Sequence, residues 1–121
     1  MQIVRIQTNI RNSDVPEKFE QDLSYNLSKT MDLPPDKFVI IVESALRMSI
    51  GLGSKETPIA VVEFRTTRPS SQSENDVFAR RVTEVLREHL KLDPANIFVS
   101  FDFKDAKSFA VQGKTIASLY A

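Results

Sequence analysis

Side chains that could do chemistry are sparse in this chain. There is one histidine, His89, and no cysteine. Thiolate catalysis, Cys-x-x-Cys redox chemistry, disulfides and cysteine zinc sites are therefore excluded, and one imidazole cannot make a histidine-rich metal site. No metal and no cofactor is expected. The carboxylates are dispersed, and Asp102 and Asp105 near the last strand read as surface residues rather than an acid–base pair. Gly51-Leu52-Gly53 lacks the spacing and the following helix that let backbone N–H groups cradle a phosphate, so it reads as a turn. Arg80-Arg81 and Arg87 read as the solvated face of a helix. His89 lies near the end of that helix, where a positive ring favours the dipole.

The elements that must position these residues fit in one domain, residues 1–121, because a chain of 121 residues can bury a core without a metal or a disulfide. Hydrophobic residues are 41% and charged residues 26% of the total, as in an ordinary globular protein. Sixteen Lys and Arg balance sixteen Asp and Glu. That balance argues against nucleic-acid binding and against attraction to anionic membranes. The longest apolar run, Phe38–Val42, stops at Glu43, far short of a membrane span. Met1-Gln2-Ile3-Val4-Arg5 lacks the features of a signal peptide, so the expected location is cytoplasmic.

A repeat runs through the sequence at an offset of 59 residues. Phe19, Leu23, Leu27 and Met31 map onto Phe78, Val82, Leu86 and Leu90, and Leu33 and Pro35 onto Leu92 and Pro94. Residues 1–58 and 59–121 therefore each read as strand, helix, strand. In the first half, Ile3–Asn9 is strand-like. Asp14-x-x-Glu17 resembles a capping box with Pro16 in the first turn, and Phe19 to Met31 recur at the spacing of an amphipathic helix. Pro34-Pro35 ends that helix, and Lys37–Glu43 is a strand. In the second half the strand is Ile59–Thr66, Ser73-x-x-Asp76 is the expected cap, the helix runs to about Leu90, and Asn96–Phe103 is a strand. Ala45–Ile50, Phe109–Val111 and Ile116–Tyr120 carry weaker strand signals.

Two such units imply parallel strand pairs joined by right-handed crossovers. The expected fold is α/β: two β-α-β repeats forming a four-stranded mixed sheet with two helices on one face. The strands Phe38–Val42, Ile59–Val62 and Ile97–Val99 are almost continuously apolar, as in strands covered on both faces. Two helices cover only one face. Copies of the same chain are the expected cover for the other.

In arrangement and in residues the chain resembles the macrophage migration inhibitory factor and D-dopachrome tautomerase family. Thr8-Asn9, Val15-Pro16, Phe19, Leu23, Leu27, Pro34-Pro35, Met48, Gly51, Ser54, Pro58 and Pro94 carry the resemblance, which covers nearly the whole chain. It implies a homotrimer whose sheets line a central barrel, with helices outside. It also implies keto–enol chemistry by an amino-terminal proline acting as general base. Position two here is Gln2, beside which methionine removal is unfavourable, so Met1 is expected to remain. The Met1 amine is a possible residual base, since an α-amine titrates at roughly 7.7–8.0. It is displaced by one strand residue, about 3.3 Å.

The rest of the pocket implied by the resemblance also departs from the family pattern. Leu33 replaces the lysine that grips a substrate carboxylate. Thr67 replaces an isoleucine wall, and Arg68 the glycine after it. Phe98 and Ser100 replace a tyrosine and an asparagine. The family's Cys-x-x-Cys falls at Ile59-Ala60-Val61-Val62. Arg65 and Arg68 flank the implied pocket wall, and Arg68 is the candidate for an anionic ligand. Two functions follow. One is a non-catalytic, cytokine-like module that binds a protein receptor or intracellular partner, in the cytoplasm or outside after export without a signal peptide. The other is a keto–enol tautomerase of phenylpyruvate or dopachrome type, with weak or altered activity.

Overall fold

In the computed structural model, which describes residues 1–120, four strands form one sheet; Ala121, the last residue of the expected domain, lies outside the described residues. The strands are β1 (Gln2–Thr8), β2 (Phe38–Glu43), β3 (Ala60–Thr66) and β4 (Ile97–Phe103), in the spatial order β2-β1-β3-β4. β1 is parallel to β2 and antiparallel to β3, and β3 is parallel to β4. The mixed sheet thus joins two β-α-β units back to back. Helices α1 (Phe19–Met31) and α2 (Gln72–Leu90) make the two crossovers.

Alternation along each strand decides what is buried. Val4, Ile6 and Thr8 of β1, and Ala60, Val62, Phe64 and Thr66 of β3, face the helices and are almost fully buried. Against them pack Phe19, Leu23 and Leu27 from α1, and Phe78, Val82, Val85 and Leu86 from α2. Leu33, Ile40, Val42, Ile97, Val99 and Phe101 border this core.

Helix starts and stops follow local chemistry. Asp14 does not cap α1. A short 3-10 turn (Asn12–Asp14) takes that residue, and Val15, preceding Pro16, is forced into extended backbone. The helix begins only after Lys18, with no side-chain cap. At α2 the capping box is two residues earlier than expected. The Ser71 hydroxyl accepts from the Glu74 backbone N–H at 3.2 Å, and the Glu74 carboxylate accepts from the Ser71 N–H at 3.1 Å. Glu74 reaches back where Asp76, one methylene shorter, would not. Both helices end on a left-handed residue, Asp32 and Lys91, which are 59 positions apart, so the repeat extends to the stops.

Thr8 and Asn9 hold the long connection into β3. The Thr8 hydroxyl donates to the Ile59 carbonyl at 2.7 Å, and the Asn9 amide donates to the Lys55 and Thr57 carbonyls and accepts from Ile59 N–H. Ala45–Ile50 is not a strand here: Ala45 turns to positive φ, and its N–H goes to the Ile10 carbonyl.

The tail also differs from the strand signals. A hairpin of β5 (Ala110–Val111) and β6 (Lys114–Thr115) turns at Gln112-Gly113, both at positive φ as a tight two-residue loop requires. Ile116–Leu119 is a helical turn, α3, because the Thr115 hydroxyl caps the Ser118 N–H.

Candidate functional site

Gln2 opens β1 and is 3% exposed. It sits between two neighbours, in register with Phe38 of β2 and Thr66 of β3. Its nitrogen is a peptide amide, whose lone pair is delocalised into the carbonyl and is not basic. The side-chain oxygen is buried and has no hydrogen-bond partner among the described residues. Leu33 follows the α1 stop, donates its N–H to the Ser28 carbonyl and packs against the core. It offers an apolar wall. Thr67 is the first residue beyond β3 and is half-buried.

The register sorts the expected site residues into two groups. Gln2, Leu33 and Thr67 lie at one end of the sheet, beside the start of β2 and the end of β3. Phe98 pairs with Val61 and Ser100 with Glu63, on the sheet face turned away from the helices. Thr66, the partner of Gln2, is level with Phe103, which puts Phe98 five strand residues further along. At about 3.3 Å per residue, that distance keeps the two groups apart within one chain.

The Met1 α-amine lies in different company. With Lys37, Gln112, Ile116, Leu119 and Tyr120 it lines a cavity of about 210 Å³, where the tail hairpin and α3 fold over the start of β1. Partial burial, and then the Lys37 charge, hold this amine below the ordinary α-amine pKa. Both effects disfavour the ammonium form. An amine and a lysine side chain lining one small cavity are suited to binding a small acid. Lys37 and Tyr120 were not among the residues singled out from the sequence. The parallel β1–β2 register, with Gln2 level with Phe38, sets Lys37 beside Met1, and the folding of the tail over residue 1 adds Tyr120.

Arg68 turns to the helix side. Its N–H donates to the Thr66 hydroxyl at 2.9 Å, and its guanidinium to the Met31 carbonyl at 3.1 Å. It stands at the mouth of a second cavity, about 280 Å³, between the end of α1 and the start of α2. Nearby Glu74 is held below the usual carboxylate range, chiefly by the Ser71 N–H, then by the Ser71 hydroxyl, with Arg68 adding. Arg65 is engaged elsewhere, pairing with Asp102 at 3.1 Å and Glu63 at 3.3 Å. His89 bridges the helices. Its Nε2 lies 3.6 Å from Asp22, its Nδ1 is 3.0 Å from the Val85 carbonyl, and its ring meets Phe19 edge-on. Among the described residues no group of three or more His, Asp or Glu side chains could hold a metal ion.

The macrophage migration inhibitory factor (MIF) family model matches residues 1–117. The chain belongs to the MIF family. It is 26% identical over 117 residues to the MIF-like protein mif-2 of Caenorhabditis elegans, covering 97% of this chain and 96% of that one. The MIF structure from Trichinella spiralis has a TM-score of 0.86 at 20% identity, covering 93% of this chain and 98% of the other. A MIF homologue from Prochlorococcus marinus has a TM-score of 0.84 at 19% identity, over 94% and 98%. At these identities the solved structures establish a shared MIF fold. The two β-α-β units, the mixed sheet and the helices on one face are its elements.

Proposed function

We propose that this chain is a non-catalytic, cytokine-like member of the MIF family, acting as a homotrimer that binds a protein receptor or intracellular partner. On this reading it resides in the cytoplasm and acts outside the cell when released without a signal peptide. One observation carries it. Where the resemblance implies a basic proline nitrogen, the chain has the peptide nitrogen of Gln2, buried between β2 and β3. An amide cannot serve as general base near neutral pH, where a catalytic base needs a matching pKa. Leu33, packed against the core, adds no carboxylate grip.

The homotrimer is supported by the sheet face opposite the helices. There Val39, Val61 and Phe98 are 42%, 36% and 47% exposed in the single chain. Interleaved with them is a charged row in which Arg5 pairs with Glu43, and Arg65 with Glu63 and Asp102. A face this apolar, with its charges already paired, is suited to burial against copies of itself.

A specific observation favours the tautomerase as second reading: the Met1 amine, held below its ordinary pKa, shares its cavity with Lys37. Both readings are tested by a keto–enol assay on the purified trimer, with phenylpyruvate and a dopachrome ester and a proline-first relative as control. The expected result is no turnover above buffer. Turnover within about 10²-fold of the control would overturn the proposal, since even a roughly 1 Å misplacement can cost that much. Loss of that turnover on acetylating the α-amine would then identify Met1 as the base.

A further inference from the structure

α1 and α2 lie antiparallel, with Asp22 beside His89 at one end and Asn26 against Arg81 near the middle. The 59-residue repeat relates the two ends of this helix pair. It carries Phe19 onto Phe78 and Thr30 onto His89. At one end the His89 ring fills the space between the helices, edge-on to Phe19 with centroids 6.2 Å apart. At the other end the corresponding position is Thr30, which has no ring. Arg81, the repeat mate of Asp22, leaves the space open by turning to Asn26 and Glu84. The cavity of about 280 Å³ beside Arg68 is the result, and Thr30 and Phe78 both line it.

We propose that this cavity is a binding site for a small, uncharged planar aromatic or heteroaromatic molecule, seated as the His89 ring is seated in the other half. The walls fit that class. Phe64 and Phe78 stack with centroids 3.9 Å apart, and Met31 and Val77 complete an apolar pocket. On its sheet side Phe78 stacks on Phe64 and meets Phe101 edge-on at 5.5 Å, but the facing helix supplies it no ring at Thr30, whereas Phe19 meets His89 across the helix pair. A further ring contact there would be favourable beyond the area it buries. The polar groups at the rim are mostly neutral: Thr30, Thr66, Ser70 and Asn75. Asp32, also at the rim, is exposed to water. The charges at the mouth are already engaged. Arg68 donates to the Met31 carbonyl, and Glu74 accepts from Ser71. A ligand ion would have to displace these contacts, whereas a neutral ring with one hydrogen-bonding edge keeps them. The volume is at the small end of ligand pockets, which run from about 300 Å³, and suits one or two fused rings. The site is separate from the Met1 cavity and from the question of tautomerase activity.

The test is an NMR titration of the isotope-labelled full chain with indole, phenol and imidazole, the last above its own pKa. Saturable shifts of the Thr30, Val77 and Phe78 signals are expected for at least one probe. Thr30→His supplies the ring from the chain itself, so it should raise the melting temperature and weaken the probe about tenfold or more. Val77→Trp, at a position 46% exposed, closes the mouth without altering the core and should do the same to binding. It decides the matter if Thr30→His does not fold. The proposal is overturned if no probe gives saturable shifts, if the shifts are confined to residues around Met1, or if binding is undiminished in the folded variants.

Discussion

One residue of register separates a basic nitrogen from an inert one at the start of β1. The Gln2 nitrogen is locked in a peptide bond, while the Met1 amine sits one step outside the sheet, partly buried beside Lys37. The folded state holds this amine below its ordinary pKa, so the unfolded chain binds the proton more tightly. The group's contribution to stability therefore rises as pH climbs from the lowered value to about 8, and is flat above it. Pulse acylation of the α-amine across pH should show a midpoint below that of a free peptide. Lys37→Gln should move the midpoint upward, though not fully, because burial is the larger cause. A midpoint equal to the peptide's would show that the tail does not cover residue 1. Gln2 could be read from the sequence as a departure at the base position. Lys37 could not, because it is remote in sequence from the tail residues with which it shares the Met1 cavity.

At the scale of elements, hydrophobic spacing located α1, α2 and all four strands, since each must bury one stripe or one face. Caps were harder. Ser73 was the expected N-cap of α2, and the cap is instead Ser71, where Glu74 reaches back as the shorter Asp76 would not. Ser71→Ala should destabilise the fold by about 1 kcal/mol in chemical denaturation, while Ser73→Ala should be close to neutral. Glu74 is the depressed-pKa case: its stabilising contribution is present above the ordinary carboxylate pKa and is lost as pH falls through its lowered value. Glu74→Gln should flatten that acid limb, which denaturation at several acidic pH values will reveal. The tail turned helical at Ile116 because a local cap, Thr115 on Ser118, outweighed a weak strand pattern with no partner strand to join.

At the scale of the whole molecule, the sheet face opposite the helices carries the prediction. Phe98→Asp places a charge on an exposed apolar position at the β4 edge, far from the core. If that face is the trimer interface, sedimentation should shift from trimer to monomer while the far-ultraviolet spectrum is retained; an unchanged trimer would place the interface elsewhere. By itself the sequence determined the fold class and the oligomer expectation. Both are written in local periodicity: a stripe every three to four residues makes a helix, and an apolar run without alternation asks for cover on both faces. It also determined what is missing, because the absence of a lysine at Leu33 or of a cysteine needs no coordinates. The tertiary structure alone decided which residues meet. The β1–β3 and β3–β4 registers put Phe98 and Ser100 five and three strand residues along from the level of Gln2. The parallel β1–β2 register set Lys37 beside Met1, the tail brought Tyr120 over both, and the antiparallel helices left Thr30 facing Phe78 across a cavity. Such meetings depend on strand order, register and loop path, which are set by the packing of the entire chain and not by any segment of it.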